Sequence, residues 1–129
     1  MDIETALKAL TLGNATIAAA IGQRYYIDRI PGDVTTYPLT RAQTVSDIPM
    51  DAHGSNVGGR ALIQLDIYDD DKATCNTTTA SVKGWLHRYQ GAFGSGSATI
   101  KVSNTRSIAE PDTKLFRQVL EVSILYFTV

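Results

Sequence analysis

The stretch from Leu115 to Val129 constrains the fold more than any other part of this chain. It is rich in β-branched and aromatic residues and contains neither Gly nor Pro. Val119, Glu121 and Ser123 alternate with Leu120, Val122, Ile124 and Tyr126. That is the period of two of a strand with one wet and one buried face. A chain that ends this way is expected to use its last residues as sheet core, not as a tether.

A length of 129 residues fits a single domain spanning positions 1–129. A domain of this size buries roughly two-thirds of its unfolded surface, enough for a core without staples. Twelve basic residues stand against thirteen acidic ones. No basic excess marks a nucleic-acid footprint, so no specific nucleic-acid recognition is expected. Near-neutrality also permits close association between copies. Cys75 is the sole cysteine, which excludes an intrachain disulfide and reads as a small buried hydrophobe. Met1-Asp-Ile-Glu4 does not resemble a signal peptide. No apolar run approaches the roughly 20 residues of a membrane span. The expectation is a protein made in, and first soluble in, a cytoplasm, with no membrane partner.

Asp2 to Leu12 reads as a helix: Ile3, Ala6, Leu7 and Leu10 share a stripe, Asp2 caps it and Gly13 stops it. Asn14 caps a second helix, Ala15 to Ile21. Arg24 to Ile27 reads as a short strand, Asp28 to Tyr37 as a loop, and Pro38 to Ser46 as a second strand. Asp47 to Gly59 carries Pro49, Gly54, Gly58 and Gly59 and reads as a long irregular loop. Arg60 to Tyr68 alternates cleanly as a third strand. Asp69-Asp-Asp71 opens a helix running to about Tyr89 or Gln90. Gly91 to Ser97 reads as a linker, Ala98 to Ile108 as a fourth strand, Glu110 to Thr113 as a turn, and Leu115 to Val129 as the fifth strand. The order α-α-β-β-β-α-β-β predicts an α+β fold. Its mainly antiparallel sheet of about five strands has helices packed on one face. Ile63, Leu65, Ile67, Leu120, Val122 and Ile124 are expected to face Val82, Leu86 and Tyr89.

The chain offers little chemistry. His53 and His87 lack the nucleophile, carboxylate or ligand spacing that catalysis or metal binding needs. Asp66, Asp69, Asp70 and Asp71 lack the spacing of a calcium loop; the last three suit a helix start. Gly91 to Gly96 follows a helix and opens a strand, the reverse of a phosphate loop. Tyr25, Tyr26 and Tyr37 read as core and interface aromatics. No catalytic residue, metal ligand or cofactor is expected.

With these residues in hand, the chain resembles the tail-completion family of long-tailed bacteriophages, also called tail terminator or head–tail joining proteins. The resemblance begins with the amphipathic first helix and the segment from Asn14 to Gly22 leading into Gln23-Arg-Tyr-Tyr-Ile27. It continues through Tyr37-Pro-Leu-Thr40 and Gly59 to Tyr68, the long helix, and the aromatic-rich strand from Arg117 to Phe127. It implies a structural virion protein without a catalytic site. Such a protein would form a six-subunit ring on the head-proximal end of a tail tube. Its partners would be copies of itself, the tail tube protein and the head connector protein.

For such a ring, the expected contacts are Leu62 and Tyr68 on the polar face of the third strand, Arg60 beside them, and Asp47 and Asp51 in the long loop. That loop is expected to be mobile in the free subunit and ordered by a neighbour. The alternative is a small-ligand-binding or enzymatic α+β domain that uses the loop 47–59 as a lid.

Overall fold

The computed structural model describes residues 2–110 and 114–128. The elements are α1 (Ile3–Leu12), α2 (Ala15–Ile21), β1 (Tyr25–Ile27), β2 (Leu39–Ala52), β3 (Ser55–Asp69), α3 (Lys72–Leu86), β4 (Gln90–Phe93), β5 (Gly96–Glu110) and β6 (Leu115–Phe127). Among the described residues, the six strands form one sheet in the order β1-β2-β3-β6-β5-β4. Every neighbouring pair is antiparallel except β1 with β2. The α+β class and the mainly antiparallel sheet agree with the sequence, but the strand count is six, not five.

Local chemistry starts the helices where the sequence indicates. The Asp2 carboxylate accepts from the N–H groups of Glu4 and Thr5, and the Asn14 side chain from those of Thr16 and Ile17. Asp71 accepts from the Thr74 N–H and caps α3. Asp69 instead ends β3, and α3 stops at Leu86, three residues short of Tyr89.

Two segments expected to be irregular are strands. Residues 47–59 are not a loop: they form the distal half of a long β2–β3 hairpin, with Ala52 paired to Ser55. His53 and Gly54 have φ of 53° and 80°, the paired left-handed residues of a tight two-residue hairpin turn. The other glycines serve a close approach. A Cβ on Gly58 would strike the Tyr126 backbone, and one on Gly59 the Tyr126 phenol. Glycine inside a strand marks such crowding as readily as it marks a loop. The expected linker 91–97 holds β4, which doubles back onto Gly96–Thr99 of β5. Residues 111–113 of the expected turn, and Val129, lie outside the described residues.

All three helices contribute to one core on one face of the sheet. Ile63, Leu65, Ile67, Leu120, Val122 and Ile124 are fully buried, as are Val82 and Leu86. Tyr89 packs at the edge, partly buried. Leu7, Ile17, Ile21, Tyr25, Phe93 and Ile100 complete this layer. The Trp85 indole N–H donates to the Leu10 carbonyl at 2.8 Å and ties α3 to α1. Cys75 is buried, and burial pushes its thiol above its ordinary range. It stays a protonated packing group, not a nucleophile.

Candidate assembly surface

The sheet face away from the helices carries the residues that packing does not explain. Cross-strand register sets them in rows. One row runs Leu39, Tyr68, Arg117, Ile108; the next Arg41, Asp66, Val119, Arg106. Nearer the hairpin come Ser46, Leu62, Ser123, Lys101 and then Ile48, Arg60, Leu125, Thr99.

At the centre lies Asp66, with 0% exposure. Its two oxygens accept five side-chain donors. Arg41 donates through Nη2 at 2.6 Å and Nε at 3.2 Å. Arg117 donates through Nη2 at 3.1 Å and Nε at 3.2 Å, and Gln64 Nε2 lies at 3.1 Å. A buried carboxylate is tolerated only when paired and hydrogen-bonded in this way. The Arg117 guanidinium also sits over the Tyr68 ring, 5.6 Å from its centroid. The cluster joins β2, β3 and β6 on the face opposite the core. Sequence reading placed Asp66 on this face but did not identify either arginine. The available signal was a carboxylate between Leu65 and Ile67 in a central strand, which must find a cation.

The five expected contact residues do not form one site. Arg60, Leu62 and Tyr68 share the uncovered face of β3, with Arg60 exposed and the other two half-buried. Asp47 lies on β2 opposite Ala61, toward the helix side, where its carboxylate accepts from the Tyr126 hydroxyl at 2.8 Å. Burial and the Asp47 carboxylate together push that phenol above its ordinary range. Asp51 lies near the hairpin tip, opposite Asn56. Among the described residues, the exposed large hydrophobic side chains are Val45, Ile48 and Phe127, at 58%, 61% and 37%. All lie toward the hairpin end, and sequence periodicity did not single out any of them.

His87 Nδ1 accepts the Val102 N–H at 3.1 Å. It lines an open depression of about 390 Å³ with Arg88, Gln90, Thr99, Ile100 and Lys101. The segment 47–59 does not line it, so the lid arrangement is not formed. His53 sits apart in the hairpin turn. Among the described residues, no three His, Cys, Asp or Glu side chains gather as a metal site, and no helix is long and apolar enough to cross a membrane.

Comparison with known proteins gives a family. Residues 5–126 match the family model described as "Tail completion protein gp17". The fold is similar to a chain in a solved structure described as "Virion of native gene transfer agent (GTA) particle". The TM-score is 0.69 and the identity 16%, with 98% of each chain covered. A second solved structure is similar at TM-score 0.56 and 12% identity, covering 98% of this chain and 96% of the other. No curated protein matches the chain in sequence.

Proposed function

The chain belongs to the tail completion protein gp17 family and is a structural component of a phage-type virion tail; on that premise we propose that it closes the head-proximal end of the tail tube as a ring of six copies and helps join tail to head. The observation that carries this reading is the family match across residues 5–126. The structure supports it in a second way. The polar and apolar features left over after packing lie on the uncovered sheet face and along the hairpin, where they suit contacts between proteins. Asp47, Asp51, Arg60, Leu62 and Tyr68 are the residues we propose for contacts with neighbouring copies, the tail tube protein or the head connector protein.

The test is assembly in cells whose gene for this chain carries an early stop. Filled heads and separate tails are the expected products, and joined particles should return when the chain is supplied in trans. Labelled copies should sit at the head-proximal end of the tube, six to a ring. Normal particles without the chain, or label at the distal tip, would overturn the reading.

A further inference from the structure

We propose that the free edge of β2 in one copy docks, head to tail, against the free edge of β5 in the next, with acid facing base. The proposal rests on the ring reading above and names the surfaces that join the copies.

Both sheet edges are left open, at opposite ends. β1 covers β2 only from Thr40 to Ala42; β4 covers β5 from Gly96 to Thr99, and Arg88, Tyr89 and His87 bond to the β5 backbone at Ile100 and Val102. Among the described residues, no strand lies outside Gln43–Ala52 or outside Lys101–Glu110. Open edges invite pairing and are normally guarded. The β2 edge also exposes Val45 and Ile48, two of the three large hydrophobic side chains left in solvent.

The edges are complementary in charge. Residues 43–52 hold Asp47 and Asp51 and no base; residues 101–110 hold Lys101 and Arg106 against one acid, Glu110, at the far end of the strand. Arg88 adds a further base beside Lys101. Glu121, one strand inward, lies 3.5 Å from Arg106, yet the Arg106 side chain remains 50% exposed. An exposed pair of this kind is worth under about 1 kcal/mol and yields readily to a new partner.

Geometry agrees. Successive antiparallel pairings make β2 and β5 run in opposite directions, so a rotated copy presents β5 antiparallel to β2. Asp47 and Asp51 are four residues apart. Lys101 and Arg106 pair with Ser123 and Val119, four rows apart, because the bulge near Ser103 absorbs one residue. Both spacings are about 14 Å at ~3.4 Å per residue. In antiparallel array Asp47 meets Arg106 and Asp51 meets Lys101. Asp47 sits in the row of Ile124 and Arg106 in that of Val119, five rows apart. Neighbouring copies are therefore displaced about 17 Å along the strands, which run obliquely to the ring axis as in a closed barrel. Pro49 has no N–H, β2 bulges at Val45, and β3 carries an extra residue, Val57, beside Met50 and Asp51. Long backbone pairing is thus blocked and side chains carry the contact. Asp47 projects toward the helix side and Arg106 and Lys101 toward the uncovered face, so the contact is made around the strand edge by the long arginine and lysine stems.

Charge reversal tests this. Asp47→Lys with Asp51→Lys makes both edges basic; Lys101→Glu with Arg106→Glu makes both acidic. Each variant alone should lose rings by about tenfold or more at about 0.1 M salt while remaining folded; Asp47→Lys also removes the acceptor of the Tyr126 hydroxyl and lowers the melting temperature for that reason. Mixing the two should restore rings holding both chains, read by native mass spectrometry. Carboxyl–amine crosslinking of concentrated wild-type chains adds a readout that needs no stable ring. Links between copies from Asp47 or Asp51 to Lys101 support the contact; their absence overturns it. Rings that persist in both variants, or fail to return on mixing, overturn the edge contact and leave the ring reading standing. Single copies in the assembled particle would overturn both.

Discussion

Removing the carboxylate at the centre of the uncovered face should be among the most damaging polar substitutions in this protein. Asp66 is fully buried and receives paired donors from Arg41 and Arg117. Hydrogen bonds to a charged group contribute about 1.5–3 kcal/mol each in net terms, and breaking a buried ion pair by removing one partner costs about 3–5 kcal/mol. The two arginine side chains are 25% and 20% exposed, so water can partly replace the lost partner. That places Asp66→Ala near the lower end, at about 3 kcal/mol. For 129 residues, an unfolding entropy of about 2.1 cal/mol/K per residue converts this to a fall in Tm of about 11 °C.

The same physics makes a less obvious prediction. Replacing all three charges together, as Arg41→Met, Asp66→Leu and Arg117→Met, leaves no orphaned charge within the cluster. It should restore stability to within about 1 kcal/mol of wild type. Denaturant titration of the single, paired and triple variants measures both effects. An Asp66→Ala loss below about 1 kcal/mol would show that the cluster is solvated and contributes little. A triple variant as unstable as the single one would refute the claim that the orphaned guanidiniums are the cause.

Other perturbations test other layers. Leu65→Ala empties a fully buried position between sheet and α3 and should cost about 2–5 kcal/mol in denaturant titration; a loss under about 1 kcal/mol would place the core elsewhere. Gly59→Ala drives a methyl into the Tyr126 phenol and the Ile48 carbonyl and should cost about 1–3 kcal/mol, with partial recovery when Tyr126→Ala is added. Burial, helped by the neighbouring Asp70 carboxyl, pushes the Asp69 carboxyl above its ordinary range against the Asp71 N–H bond. A raised carboxyl binds its proton more tightly when folded, so stability falls as pH rises from the ordinary carboxylate range through the raised value. Asp69→Asn should therefore gain on wild type as pH rises from strongly acid to neutral, measured by melting; a gain in the opposite direction would refute the assignment.

Features governed by neighbours in sequence were legible; features governed by neighbours in space were not. α1 and α2 announce themselves because Asp2 and Asn14 cap their own next turns, and a cap acts within three residues. β3 and β6 announce themselves because Ile63, Leu65 and Ile67, and Leu120, Val122 and Ile124, alternate in phase over one buried face. The distal half of the hairpin was hidden because Gly58 and Gly59 answer to Tyr126, more than sixty positions away. β4 was hidden because only Phe93 of its four residues is buried, too little to set a period.

The charge cluster was hidden for the same reason. Asp66 lies 25 positions from Arg41 and 51 from Arg117, and each arginine alone reads as a solvated polar residue. Their meeting follows only once β2 and β6 flank β3 in register. The proposed edge contact extends this step by one level. Asp47 and Arg106 are unremarkable within one chain. Asp47 holds the Tyr126 hydroxyl there and Arg106 makes a loose pair with Glu121; the proposed contact between copies depends on the strand order β1-β2-β3-β6-β5-β4. For a protein whose family works in a tail, the informative polar residues are those the monomer does not need. Here the candidates lie where the sheet stops, with acid along β2 and base along β5.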